Sequence, residues 1–151
     1  MPFCRIVLRT KRPLPAAYPK ELKTLGNHLR KKRLDLKLRQ KDVARIIGTS
    51  MASVGYWEMN KFVPLDRFIP KIISFIGYIP PNFLPENLPG KIRAGRKLLG
   101  LSQEGLASYL GVDVSTVADW EKHRHEPTRK SLEKLAKLLT SLPSTAGEPT
   151  R

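Results

Sequence analysis

Apolar residues along this chain recur at the three- and four-residue spacing of short amphipathic helices. Val43, Ala44 and Ile47 fall on one helical face, and Gly48 is placed to end that helix in a left-handed conformation. Residues 51–60 continue the helical spacing directly after the glycine. The pattern therefore predicts two short helices joined by a sharp turn.

The same spacing predicts further helices on both sides of this pair. Helical spacing begins at Leu25, and Asp66 is expected to cap a helix that ends at Gly77, with Pro70 harmless in its first turn. Only Phe3–Arg9, with its β-branched residues, favours an extended arm or a strand. The remaining predicted helices are Ile92–Leu99, Gln103–Leu110, Ser115–Lys122 and one capped by Thr128 that runs through Leu139. The fold class predicted is all-α.

An internal repeat divides the chain. The segment Gln40–Gly48, followed by Trp57-Glu58, returns 63 positions later as Gln103–Gly111, followed by Trp120-Glu121. Ten identities in one register, without a gap, are better explained by duplication than by chance. The predicted division is an N-terminal arm at 1–20, a first helical domain at 21–78, a proline-rich semi-rigid linker at 79–89, a second helical domain at 90–140 and a disordered tail at 141–151.

The net charge indicates a polyanionic partner. The formal charge is +15 and the sequence pI is about 10.3. Residues 1–78 hold 17 Lys and Arg against 5 Asp and Glu, whereas residues 79–151 hold 11 against 8. The first half is therefore expected to dominate salt-dependent binding to nucleic acid. The single cysteine, Cys4, fits a reducing compartment, and no apolar run is long enough to span a membrane, which predicts a cytoplasmic protein.

The second repeat carries a specific resemblance. The residues that carry it are Arg96, Leu101-Ser-Gln103, Leu106-Ala107, Leu110-Gly-Val112, Ser115-Thr-Val117, Trp120-Glu121 and Pro127. At these positions the repeat resembles the phage-repressor family of helix-turn-helix proteins (Cro/repressor, or XRE-type). The resemblance covers about residues 88–139, and a weaker one covers about residues 25–76. It implies two lambda-repressor-like domains in tandem, each with a third helix whose outer face can enter the major groove of DNA.

The resemblance also implies roles for individual residues. The glutamine that opens the second helix contacts a DNA phosphate, a role that falls to Gln40 and Gln103. An arginine seven residues earlier pairs with the glutamate of the Trp-Glu motif, which gives the structural pairs Arg33–Glu58 and Arg96–Glu121. The base-facing positions map to Met51, Ala52 and Tyr56 in the first repeat and to Val114, Ser115 and Asp119 in the second. Neither set contains the Arg, Asn or Gln that makes the strongest bidentate base contacts.

Basic residues near these helices are candidates for phosphate contacts, and a solvated charged face is the alternative interpretation. The candidates in the first repeat are Arg30, Lys31, Lys32, Lys37, Arg39, Lys41 and Arg45, and those in the second are Lys122, His123, Arg124 and His125.

No catalytic motif is visible, and the three histidines with Cys4 match no zinc spacing, so neither an enzyme, a metal site nor a cofactor is predicted. The predicted function is sequence-specific binding of double-stranded DNA by a transcriptional regulator, associated with the nucleoid. The resemblance implies a prokaryotic or phage origin. Two alternatives stay open: a protein-interaction module (antitoxin-like or polymerase-associated) with non-specific DNA affinity, and an RNA-binding protein. Whether the chain forms a homodimer also stays open.

Overall fold

The computed structural model describes residues 17–140, which are helical and contain no strand. None of the helices in this range is long and apolar enough to cross a membrane. The predicted extended segment Phe3–Arg9 and the predicted tail at 141–151 lie outside the described residues. The helices are α1 (Leu25–Asp35), α2 (Gln40–Ile47), α3 (Met51–Glu58), α4 (Ile69–Ile76), α5 (Leu88–Leu98), α6 (Gln103–Leu110), α7 (Val114–Glu121) and α8 (Arg129–Thr140), with 3-10 turns at Asp66–Phe68 and Pro81–Phe83.

Helices α1 to α4 form a first helical group around one apolar cluster. The face of α2 predicted from its spacing is buried, and Val43 and Ile47 are fully shielded from solvent. They pack against α3 through Val54 and Trp57. Burying each such side chain is worth about 1.5–3 kcal/mol, so this cluster is the main source of stability for these short helices. The other buried members of the cluster are Leu29, Ala44, Ile72 and Ile76.

Helices α5 to α8 form a second helical group around a separate cluster. Val117 and Trp120 on α7 take the places that Val54 and Trp57 take on α3. Thr128 Oγ1 accepts a hydrogen bond from the backbone N–H of Ser131 at 3.3 Å, as expected of the residue that caps α8. The buried members of this cluster are Ile92, Leu106, Ala107, Leu110, Val117, Trp120 and Leu135.

The backbone turns of the two groups also correspond. Both groups place residues in the left-handed region, with φ between 55° and 80°, at positions 63 residues apart. These positions are Lys37, Gly48 and Asn60 in the first group and Gly100, Gly111 and His123 in the second. A non-glycine residue is uncommon in this region, so the recurrence is a specific feature of the chain path. The repeat seen in the sequence is therefore present in the backbone conformation of both groups.

The junction between the groups differs from the predicted linker. Residues 79–89 were expected to form a semi-rigid spacer, but α5 begins at Leu88, inside that range. Pro89 lies in the first turn of α5, where a missing N–H breaks no hydrogen bond. The side chain of Asn87 caps the helix by accepting from the backbone N–H of Gly90 at 2.9 Å. The four prolines of 79–89 predicted a linker throughout, whereas Pro89 follows the capping Asn87 within the first turn of α5.

The prediction that Asp66 caps a helix is wrong. Asp66 lies in a 3-10 turn, and Phe68 occupies the capping position of α4. The carboxylate of Asp66 instead accepts a hydrogen bond from Arg96 Nη1 of α5 at 2.5 Å. An apolar cluster of Ile69, Ile73 and Leu98 lies beside this contact and also joins α4 to α5. The two groups are therefore packed together by an apolar contact and an ion pair.

His28 is buried where α1 meets the end of the first group. Its Nε2 lies 3.1 Å from the carbonyl oxygen of Leu22, which can only accept, so Nε2 carries the proton. Its Nδ1 then accepts from the hydroxyl of Tyr78, 2.7 Å away. Burial lowers the pKa of His28 from its usual 6.5, and the Leu22 carbonyl only partly opposes that effect. His28 is thus a structural histidine held in its neutral form.

This histidine predicts a pH dependence of stability. Because the pKa of His28 is lower in the folded chain, the unfolded chain binds more protons once the pH falls below about 6.5. The free energy of unfolding should therefore fall as the pH drops through that value, until His28 is protonated in the folded state as well. Urea unfolding between pH 7.5 and 5 measures this dependence. The variant His28→Gln should lose the part of the pH dependence that His28 causes. If the variant and the unmodified chain show the same dependence of the free energy of unfolding on pH, His28 is not its source.

Candidate nucleic-acid interface

Helices α6 and α7 have the geometry of a helix-turn-helix. Gly111 ends α6 in the left-handed conformation with φ of 71°, and α7 begins three residues later at Val114. The inner face of α7 buries Val117 and Trp120. Its other side leaves Val114 41 % exposed, with Ser115 exposed as well. Two of the three base-facing candidates of the second repeat are thus accessible on a helix whose opposite face is anchored in the core.

The orientation of α7 is held by a buried polar network. Arg96 Nε donates to Glu121 Oε1 at 2.6 Å, and its Nη2 donates to Oε2 at 3.4 Å. Gln103 Nε2, at the start of α6, donates to the same Oε2 at 2.9 Å. Arg93 adds a hydrogen bond from Nη2 to the backbone carbonyl of Glu121 at 2.7 Å. Glu121 therefore ties α5, α6 and α7 together, and Gln103 reaches a ligand with at most one of its two amide hydrogens.

The first group contains the matching network. Arg33 Nε and Nη2 donate to the two oxygens of Glu58 at 2.6 and 2.8 Å, and Gln40 Nε2 donates to Oε2 at 3.0 Å. Gly55 lies beneath the Gln40 side chain, whose Oε1 is 3.5 Å from the place a Cβ at Gly55 would occupy. The glycine that lowers the helix propensity of α3 therefore lies against the glutamine that opens α2.

Arg96 has a partner that Arg33 lacks. Burial alone would lower the pKa of Arg96, but hydrogen bonds to Glu121 and then to Asp66 outweigh it and raise the pKa. The guanidinium therefore stays charged while it bridges the two helical groups. Sequence reasoning missed Asp66 in this role, because the residue 63 positions later is Arg129 and no repeated pair points to it. The Arg93 contact had a signal, since arginine recurs at positions 30 and 93.

The loop that follows α7 is basic and exposed. Asp119, the third base-facing candidate, is half-buried, and its Oδ1 lies 3.5 Å from Nη1 of Arg124. This contact restrains the arginine beside the outer face of α7 and occupies part of the Asp119 carboxylate. The other exposed candidates for phosphate contact in this loop are Lys122, His123 and His125.

The outer face of α3 differs from that of α7. Met51 is 56 % exposed and Tyr56 is 41 % exposed, and Ala52 is exposed between them. The ring of Tyr56 meets the ring of Phe62 edge to face, with centroids 5.3 Å apart. The three base-facing candidates of the first repeat therefore form a largely apolar surface, and one of them contacts an exposed aromatic side chain.

The basic residues of the first group that are candidates for phosphate contacts differ in their exposure to solvent. Arg30, Lys31 and Lys32 are half-buried, and Lys31 Nζ contacts Asp35 Oδ2 at 3.0 Å. Arg39 is exposed and pairs with Asp42 at 3.4 Å. Three exposed residues form no salt bridge within residues 17–140, although Arg45 contributes to lowering the pKa of the Asp42 carboxyl. We call these residues the cationic stripe: Lys37, Lys41 and Arg45. The residues 63 positions later are Gly100, Glu104 and Ser108, so the stripe is specific to the first group.

Comparison with known proteins assigns a class to the second group. Residues 92–142 match the model of the helix-turn-helix family, which covers 51 of the 151 residues. The matched segment includes α6, the Gly111 turn and α7, the elements that the buried network holds together. This part of the chain is therefore similar to helix-turn-helix domains. No match to the chain was found among curated proteins or among solved structures.

Proposed function

We propose that this protein is a transcriptional regulator that binds double-stranded DNA sequence-specifically through the second helical group. The observation that carries the proposal is the outer face of α7, where Val114 and Ser115 are exposed and Asp119 is half-buried, on a helix fixed by the Glu121 network. A helix held in this way can enter the major groove without reorganising, and its hydroxyl and carboxylate can bond to base edges.

The two helical groups are proposed to divide the work of binding. The cationic stripe of the first group supplies attraction to phosphates that does not depend on sequence. Val114 contacts a thymine methyl group, and Ser115 and Asp119 supply the polar sequence readout. Arg124, restrained by Asp119, lies beside the same face and contacts the backbone. The residues proposed to contact phosphates in this group are Gln103, Lys122, His123 and Arg124.

The tandem arrangement is also part of the proposal. Two lambda-repressor-like domains, at 21–78 and 90–140, have corresponding chain paths and are joined through α4 and α5. A fixed junction sets the spacing of the two groups, so the preferred DNA site is one compact bipartite site. The proposed context is a prokaryotic or phage cell, with the protein on the nucleoid and with neither catalysis nor a cofactor involved.

A competition titration tests this function against RNA binding. The full chain is bound to a labelled duplex DNA of about 30 base pairs and titrated with unlabelled duplex DNA or with a structured RNA hairpin of equal length. Recognition in the major groove of B-form DNA predicts that the duplex DNA competes at much lower concentration, because the major groove of an RNA helix is too narrow for α7. If the RNA competes equally well, the proposed recognition of duplex DNA is contradicted, and the chain has only a general affinity for polyanions.

A further inference from the structure

An apolar surface follows α3 in the first group, and nothing in the proposed DNA binding requires it. Five large side chains lie exposed on the last turns of α3 and the segment behind it. Leu65 is 62 % exposed, Phe62 63 % and Val63 78 %. We call this set the apolar exit patch, and its members are Tyr56, Met59, Phe62, Val63 and Leu65.

The repeat shows that the patch is not inherent to this fold. The five residues 63 positions later are polar or charged: Asp119, Lys122, His125, Glu126 and Thr128. The scaffold between these positions is the same, since Trp57 and Trp120, Glu58 and Glu121, and Pro64 and Pro127 are identical and buried. At these five positions the second copy of the segment therefore carries polar or charged residues, whereas the first copy carries large apolar or aromatic ones.

The patch lines a concave surface. Tyr56, Phe62, Val63 and Leu65 line one part of a pocket of about 540 Å³. The half-buried Phe68 also lines it, and the side towards the start of α3 is polar, with Thr49, Ser50 and Ser53. The edge-to-face contact of Tyr56 with Phe62 orders its aromatic part. Soluble proteins rarely expose contiguous apolar patches larger than a few hundred Å² unless a partner covers them, and exposed Tyr, Phe and Met are enriched where partners bind.

The charges around the pocket define the chemistry of the occupant. Arg67 is exposed at the pocket and lies over the ring of Phe68, 4.8 Å from its centroid. Lys61 is exposed between Tyr56 and Phe62 in sequence, and neither cation has a carboxylate partner in the part of the chain that the structure describes. An occupant must therefore present large apolar side chains to the pocket and carboxylates to its edge. Duplex DNA offers the negative charge, but its phosphates and polar groove edges would lose water against these apolar side chains without gaining hydrogen bonds.

We propose that the apolar exit patch is a docking site for an acidic segment of a partner protein that inserts at least one large apolar side chain. The occupied pocket removes the apolar side chains from water, and Arg67 and Lys61 select acidic segments over basic ones. The second helical group lacks the site, because a carboxylate and a histidine stand where Val63 and Phe62 stand in the first. This interaction is separate from DNA binding by α7.

Selection from a library of displayed random 12-residue peptides, using the full chain as bait, tests the proposal. The peptides enriched should be acidic and contain Leu, Ile, Phe or Trp. Their affinity should fall at least about tenfold for the variant Phe62→Ser/Val63→Ser. The matched variant His125→Ser/Glu126→Ser changes the corresponding positions of the second group and should leave their affinity within about twofold of that of the unmodified chain. Circular dichroism checks that both variants keep their helical content.

Three results would overturn the proposal. The first is failure to enrich acidic peptides, or enriched peptides that bind both variants equally. The second is a dimer of the unmodified chain in sedimentation that the Phe62→Ser/Val63→Ser variant dissociates, since the occupant would then be a second copy. The third is a loss of affinity for duplex DNA in that variant at constant salt, which would make the patch part of the DNA surface. If RNA competes as well as duplex DNA while acidic peptides still bind, the result would count against the proposed DNA binding and not against the docking site.

Discussion

Replacing Glu121 with alanine is expected to lower the free energy of unfolding by about 3–5 kcal/mol, the usual cost of removing one partner of a buried ion pair. Glu121 is 6 % exposed and accepts hydrogen bonds from Arg96 and Gln103. Its loss leaves the Arg96 guanidinium, itself only 5 % exposed, with Asp66 as its single carboxylate. It also leaves the Gln103 amide without its acceptor. Urea unfolding followed by circular dichroism measures the change.

Glu58→Ala and Glu104→Ala are the matched controls for this variant. Glu58 accepts from Arg33 and Gln40, but the Arg33 side chain is 12 % exposed against 5 % for Arg96, so its orphaned charge is better solvated. We therefore expect a smaller loss for Glu58→Ala. Glu104 is exposed and has no ion pair within the described residues, so its removal should change stability by less than about 0.5 kcal/mol. Equal losses for Glu121→Ala and Glu104→Ala would contradict the structural role of the network.

Neutralising the cationic stripe is expected to weaken binding to every duplex DNA. Each phosphate contact contributes about 0.9 to the slope of log affinity against log salt, so Lys37→Gln/Lys41→Gln/Arg45→Gln should reduce that slope by up to about 2.7. The affinity at about 0.1 M salt should fall by on the order of a hundredfold, because three counterion-releasing contacts are lost. Fluorescence anisotropy at several salt concentrations, with two unrelated duplexes, measures both quantities.

A charge-matched control distinguishes the effect of direct phosphate contacts from the effect of the net charge of the chain. Arg129, Lys130 and Lys137 are exposed on α8 of the second group, and replacing all three with glutamine removes the same formal charge. This variant should keep most of the slope, since only residues near the DNA release counterions. If both triple variants lose the same slope, then binding reflects overall charge and the stripe has no special position.

The helical periodicity of the sequence predicted most of the fold, because each short helix buries one face. The buried faces of α2 and α7 and the glycine turns follow from that periodicity and the repeat. Periodicity shows that a face is buried but not which surface covers it. Ile69, Ile73 and Leu98 therefore gave no sign that they pack the two groups against one another. Asp66 has the sequence context of a cap, and its actual partner is 30 residues away.

The sequence predicted the candidate site only in part, for a similar reason. The repeat pointed to the Arg–Glu pairs because both partners recur, and the structure brings each pair together. Residue type did not predict exposure to solvent. The basic residues at 30–32 are half-buried, whereas Lys37, Lys41 and Arg45 are exposed. The contact of Tyr56 with Phe62 depends on the path of the chain after α3, which no local pattern specifies.

Sequence-specific DNA binding by α7 is the central claim, and selection of bound sites from random duplex DNA tests it most directly. The unmodified chain should enrich one compact motif. Ser115→Ala/Asp119→Asn should change the preferred bases within that motif and leave the salt slope in place. The matched variant Ala52→Ser/Tyr56→Phe, at the corresponding positions of α3, should enrich the unmodified motif. Enrichment of no motif, or of the same motif by the α7 variant, would contradict the claim.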